Sequence, residues 1–234
     1  MIMCRPTFYR IWKRGAVESF SPLPYLAAVM NCMLWIFYGL PFVHPNSTLV
    51  VTINAVGLFL EIVYLSIFFI FATKKQRLYV LKFLAGEVLL MILIVALVLS
   101  LAHTTKLRTF VAGIFAAIFN VYMYGSPLSI MRMVIQTKSV KYMPVYLSFF
   151  NFLNGCCWMA YALIIIDFFI AIPNGLGALL GLIQLILYAC YYRSTVWDED
   201  DKKPKAEVQL PGTTSAVAPG GGAPEFHSIT FSSR

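Results

Sequence analysis

The chain has 234 residues, of which 60% are hydrophobic and 12% charged. With a mean hydropathy of +0.78 this excludes a soluble domain, and the bilayer is its solvent. The net charge of +8 lies in the connectors between apolar runs, not on one face or in one domain, which excludes a nucleic-acid partner and follows membrane topology.

Residues 1–20 carry Arg5, Arg10, Lys13 and Arg14 against a single Glu18, with no apolar run ahead of them, so no cleavable signal peptide is expected. The first span is then expected to start near Pro24. A membrane helix needs about 20 mostly apolar residues. Six windows meet that length: 24–43, 49–72, 79–102, 108–131, 144–166 and 168–192. In lipid each backbone amide must be satisfied within the segment, so these spans are helices and the fold class is all-α membrane protein.

Counting Lys and Arg in alternate connectors orients the bundle. The N-terminal segment, Lys74-Lys75-Arg77, Arg132-Lys138-Lys141 and the tail from Arg193 form the rich set. The connectors 44–48, 103–108 and the turn at Asp167 form the poor one. The rich set is expected in the cytosol, which places both ends of a six-span chain there, the C-terminal tail included. The poor set holds the sequon Asn46-Ser47-Thr48, close to the start of the second span.

Two stretches echo each other. Trp35-Ile-Phe-Tyr38 matches Trp158-Met-Ala-Tyr161 at a shift of 123, and Asn54-Ala-Val-Gly57 matches Asn174-Gly-Leu-Gly177 at a shift of 120. Repeated polar and aromatic punctuation inside lipid-length helices points to a binding site between repeats, near the middle of the membrane. The window Leu78–Ala102 has no counterpart and reads as a linker helix. Its Glu87, and Glu61 in the preceding span, read either as buried hydrogen-bonding groups or as coupling carboxylates. Lys82 lies near a span end and can snorkel.

Catalytic signatures are missing: there is no GxSxG, HExxH, Walker loop or GxGxxG, so neither an enzyme nor a cofactor is expected. The five cysteines have no CxxC spacing and read as small packing residues, with no disulfide framework and no metal site. His44, His103 and His227 fall in loops or tail and make neither a ligand cluster nor a proton relay. Gly175, Gly177 and Gly181 read as small residues that let helices approach.

What remains suits a neutral, hydroxyl-rich ligand. Asn54 and Asn174 offer donors and an acceptor without charge, and Trp35 and Trp158 offer flat apolar faces on which a sugar ring can lie. Pro24 and Pro144 read as kinks or as helix starts, whereas Pro127, followed by apolar Leu-Ser-Ile-Met, reads as a hinge. After Tyr192 the acidic run Asp198–Asp201, Lys202-Lys203-Pro204-Lys205 and a Gly/Pro/Ser/Thr-rich stretch read as a disordered, solvated tail.

These residues resemble a known family. Pro22-Leu-Pro-Tyr25, Trp35-x-x-Tyr-Gly39, Ile53-Asn54-x-x-Gly57, the run 126–144 (SPLSIMRMVIQTKSVKYMP), Trp158-x-x-Tyr161 and Ala171-Ile-Pro-Asn174 together look like the SWEET sugar transporters of plants, over residues 6 to about 193. The resemblance implies two triple-helix bundles joined by a linker helix, with seven spans, and uncoupled, bidirectional sugar diffusion by alternating access. It implies that Asn54 and Asn174 hydrogen-bond the sugar, that Trp158 and Trp35 stack on it, and that Tyr38 and Asp167, with Tyr161, form an extracellular gate. Pro24, Pro127 and Pro144 match a cytosolic proline gate.

The wording of residues 31–47 is similar to the hexose-transporting group. One departure stands out: family members have a span ahead of the Pro6-Thr7-Phe8 match, where this chain has Met1–Arg5, and Cys4 falls where a fourth gate proline would be.

The expected organisation is therefore an N-terminal segment 1–20, an incomplete first bundle 21–72, a linker helix 77–102, a second triple-helix bundle 107–192 and a tail 193–234. The expected partners are a mono- or disaccharide, lipid, and related transporters in a homo- or hetero-oligomer, in the plasma membrane. The competing expectation is a non-transporting subunit that assembles with longer relatives and modulates them. A heptahelical receptor gives no reason for the internal repeat, and a coupled carrier would need titratable groups beside Asn54 and Asn174.

Overall fold

A computed structural model of the chain describes Val17 and residues 21–197. The segment holding Cys4, the N-terminal basic residues, the acidic run after 197 and His227 lie outside the described residues. Among those described there are seven helices and no strand: α1 Leu23–Gly39, α2 Thr48–Phe71, α3 Lys74–Leu101, α4 Thr105–Tyr122, α5 Gly125–Thr137, α6 Val145–Ile165 and α7 Phe168–Tyr191. α4 and α5 together form one span, Thr105–Thr137, which with α2, α3, α6 and α7 makes five stretches long and apolar enough to cross a bilayer, while α1 is a shorter apolar helix.

Two windows differ from their expected bounds. The first, expected to reach residue 43, ends at Gly39 because Leu40 precedes Pro41, whose ring drives the residue before it into extended backbone (φ −64°, ψ 142°). Its 17 residues still span about 26 Å at 1.5 Å each, near the ~30 Å hydrocarbon thickness. The fourth, expected as one helix over 108–131, runs on to Thr137 and is broken at Met123–Tyr124. Pro127 explains the place of the break: it has no N–H for the Met123 carbonyl one turn earlier, and its ring crowds that carbonyl. Pro24 in the first turn of α1 and Pro144 capping α6 mark helix starts, where a missing N–H costs nothing.

Short connectors are fixed by local chemistry. Thr73 and Gln76 form a reciprocal capping box that opens α3, and Thr104 caps α4 through the Leu107 amide. Between α6 and α7 the chain turns within two residues: Ile166 takes the left-handed conformation (φ 56°) and Asp167 caps α7. Ser194 and Thr195, expected in the tail, are instead tied down. Ser194 Oγ donates to the Lys138 carbonyl, and Thr195 Oγ1 accepts from the Val140 amide at 2.9 Å.

The central core joins both halves. Met30, Leu34 and Trp35 from α1 and Val50 from α2 pack with Ile94 and Val98 of α3, Ala112 and Ala116 of α4, Ala162 of α6 and Ile170 of α7. A second cluster, Tyr25, Leu26, Leu65, Phe68 and Val80, ties the other end of α1 and α2 to α3. α6 and α7 lie so close that a Cβ on Gly155 would stand 2.6 Å from the Ala178 nitrogen, and one on Gly181 would stand 2.9 Å from the Phe152 backbone. These glycines admit the neighbouring backbone itself. Outward-facing Phe59, Ile62, Ile164 and Ile172 are exposed, as side chains meeting lipid should be.

Candidate functional site

A cavity of about 220 Å³ opens between the two halves. α1 contributes Asn31, Cys32 and Trp35, α2 contributes Asn54 with Val50, Ile53 and Gly57, and α4 contributes Asn120. α6 adds Asn154 and Trp158, and α7 adds Ile170 and Asn174. Five of the twelve lining residues are asparagines and none is charged, so the surface offers neutral donors and acceptors between apolar faces.

The repeat in the sequence becomes a repeat in geometry. Asn54 Nδ2 donates to the Val50 carbonyl at 2.8 Å, and Asn174 Nδ2 donates to the Ile170 carbonyl at the same 2.8 Å, each one turn back on its own helix. One bond orients each amide and leaves its second N–H and its carbonyl oxygen for a ligand. Trp35 meets Tyr38 edge to face at 5.5 Å and 82°, and Trp158 meets Tyr161 at 5.8 Å and 83°. Each indole is thus held by a tyrosine one turn on.

Three asparagines here escaped the sequence reading. Asn31 and Asn154 stand at the same 123-residue offset as the tryptophans, a signal that was present and unused. Asn120 has no such mate among the described residues. The Asn31 Oδ1 is buried with no hydrogen-bond partner among them, a state that costs free energy unless a ligand or water fills it. Cys32, expected as a packing residue, lines the cavity. No group of His, Cys, Asp or Glu among the described residues is arranged to hold a metal. Neither Glu61 nor Glu87 lines the cavity.

One turn from the cavity residues Trp35 and Ile170 lies a polar cluster. Tyr38 Oη donates to Asp167 Oδ2 at 2.7 Å in a buried setting. Asp167 Oδ1 accepts from the Phe169 and Ile170 amides at 2.9 and 3.2 Å, so one carboxylate both caps α7 and holds Tyr38. His44, absent from the expected gate, stacks on the Tyr38 ring at 4.8 Å and places Nε2 3.3 Å from Asp167 Oδ2. Its Nδ1 lies 3.4 Å from Thr109 Oγ1, whose hydroxyl donates to the Val43 carbonyl at 2.6 Å. Tyr161, grouped with this gate from the sequence, packs edge to face on Trp158 and lies within electrostatic range of Asp167 and Tyr38. Pro24, Pro127 and Pro144 begin α1, α5 and α6, and none of them lines the cavity.

Comparison with known proteins places this geometry. A family model described as "Sugar efflux transporter for intercellular exchange" matches residues 5–76 and 110–196. The chain is 55% identical over 213 residues to the bidirectional sugar transporter SWEET7b of Oryza sativa subsp. indica, covering 91% of this chain and 78% of that one. It is 51% identical over 197 residues to the bidirectional sugar transporter SWEET5 of Arabidopsis thaliana, covering 84% and 82%. A solved eukaryotic SWEET transporter superposes with a TM-score of 0.76 at 36% identity, over 82% of this chain and 90% of that one. With both halves matched by one family model, relatives more than half identical and the same fold in three dimensions, the chain belongs to the SWEET family.

Proposed function

We propose that the chain is a transporter, not an enzyme, that lets a hexose such as glucose cross the membrane in either direction by uncoupled alternating access. The observation that carries this is the cavity between repeats, lined by five asparagines and two tryptophans and by no charged side chain. Neutral amides match sugar hydroxyls, and indole faces match the apolar face of a pyranose. Asn54 and Asn174 bind the hydroxyls, with Asn31, Asn120 and Asn154 around them, while Trp158 and Trp35 enclose the ring.

Size favours one ring over two. About 220 Å³ lies below the ~300–1,000 Å³ of pockets for drug-sized ligands. The cavity lining carries no charged side chain, which supports passage without ion coupling. The matched amide and indole pairs support two repeats with α3 as the linker between them.

Lys and Arg distribution supports placing the Tyr38–Asp167–His44 end outside the cell and residues 74–77 and 132–141 in the cytosol with the tail. In this arrangement Tyr38 and Asp167 hold the exterior gate shut, and the Met123–Tyr124 break with Pro127 is the flexing point through which the cytosolic side opens and closes. The proposed site of action is the plasma membrane.

The test is labelled-glucose uptake in cells lacking their own hexose carriers, with sucrose as competitor. Uptake that the chain confers, that Asn174→Ala abolishes at unchanged surface amount, and that excess sucrose leaves intact supports the reading. Efficient competition by sucrose would refute the single-ring site, and absence of uptake by correctly inserted chain would refute transport.

A further inference from the structure

α7 carries Pro173 in its interior, immediately before the cavity residue Asn174. Proline has no N–H to give the Phe169 carbonyl one turn earlier, so α7 is weakest at the turn that presents Asn174. Across from it lies the other weak point, the Met123–Tyr124 break between α4 and α5, one turn beyond the cavity residue Asn120. One bond ties the two together. Tyr124 Oη donates to the Pro173 carbonyl at 2.6 Å, at the short end of the range for hydroxyl donors, between residues 49 positions apart.

The seat for that hydroxyl is a missing side chain. A Cβ on Gly177, one turn after Pro173, would stand 2.4 Å from Tyr124 Oη and 3.0 Å from Cζ. The ring of Tyr124 can reach the Pro173 carbonyl because Gly177 leaves the space empty. Sequence reading gave Gly177 a share in helix approach and gave Tyr124 no role.

We infer that Tyr124 is a positioning residue: its hydroxyl, seated over Gly177, fixes α7 at Pro173 and so holds the Asn174 amide where the cavity needs it. It acts through Asn174 and does not line the cavity itself. The same bond makes the α4–α5 elbow and the α7 interruption respond together, so motion of the elbow is felt at Asn174. Its consequence for binding rests on the sugar-site reading above, but the clamp on α7 does not.

The test uses the full chain in lipid nanodiscs, with Tyr124→Phe, Gly177→Ala and the double variant. Without sugar, amide hydrogen exchange of residues 174–178 should quicken several-fold in Tyr124→Phe, with α3 unchanged. Gly177→Ala, which pushes the hydroxyl off its seat, should show the same acceleration. The double variant should exchange no faster than Tyr124→Phe alone, because the bond to Pro173 is already gone and the ring, untied at its tip, can give the few tenths of an ångström that its Cζ, 3.0 Å from the new methyl, requires.

Glucose binding read by tryptophan fluorescence should weaken several-fold in Tyr124→Phe and should not weaken further when Tyr124→Phe is added to Asn174→Ala. Unchanged exchange at 174–178 in Tyr124→Phe overturns the inference. So does an equal loss of affinity from Tyr124→Phe in the Asn174→Ala background. Quickened exchange in a chain whose wild type binds no glucose upholds the clamp and overturns the sugar reading instead.

Discussion

The Tyr38 hydroxyl donates to Asp167 Oδ2 at 2.7 Å, joining α1 to the start of α7 across 129 positions of sequence. Because Asp167 Oδ1 is already committed to the Phe169 and Ile170 amides, the carboxylate cannot turn away without uncapping α7. The acceptor of the proposed gate is therefore pre-oriented by the helix it begins. Tyr38→Phe keeps the ring on Trp35 and His44 and removes that donor alone. Losing one hydrogen bond to a charged acceptor costs about 1.5 kcal/mol, roughly tenfold in the closed-to-open ratio. Cys32, a thiol in the cavity, reports it: with the other cysteines changed to Ser, labelling by an impermeant maleimide from outside should quicken roughly tenfold. An unchanged rate would remove this bond from the gate.

Asn174→Ala and Asn54→Ala each take an oriented amide from the cavity and leave a ligand hydroxyl unpaired, at about 1–3 kcal/mol. Glucose affinity should fall about tenfold or more in each, with melting temperature little changed because each amide bonds only its own helix among the described residues. Binding isotherms on the purified variants check this; full affinity in both would relocate the site.

Trp158→Phe keeps a ring beside Tyr161, and Trp158→Ala does not. If the indole stacks on sugar, the alanine variant should lose several-fold more affinity than the phenylalanine variant. Equal losses would point to packing against Tyr161 as the whole of its role.

Pro127→Ala restores an N–H facing the Met123 carbonyl and favours one continuous helix over Thr105–Thr137. The expected result is a slower cycle with unchanged sugar affinity, read by comparing equilibrium exchange with binding. A normal rate would remove the α4–α5 break from the transport cycle.

Gly155→Ala forces a methyl within 2.9 Å of three backbone atoms of α7 and should destabilise by about 1–3 kcal/mol. Gly86→Ala on α3, with nothing within 4 Å, should be neutral or stabilise by up to about 1 kcal/mol. Thermal melts of the two in the same detergent check the contrast, and similar shifts would mean the α6–α7 contact yields easily.

Span positions were legible because hydrocarbon imposes length and apolarity on each helix separately. The bounds that moved did so for proline chemistry, at Pro41 and Pro127, which hydropathy does not register. Asn54, Asn174, Trp35 and Trp158 could be singled out because polar or ring side chains in lipid-length runs need a reason, and the structure sets all four around one cavity. Asn31 and Asn154 carry the same 123-residue offset as the tryptophans. His44 and Tyr124 were illegible in a stronger sense: their partners Asp167 and Pro173 are distant in the chain, and no local pattern announces a contact made by folding.

The paired amides and indoles have a further consequence. In the proposed site a hexose, which has no twofold axis, would meet walls that are nearly alike when the site is turned half a revolution. Such a ligand would have two poses of similar energy, which would blur discrimination among epimers.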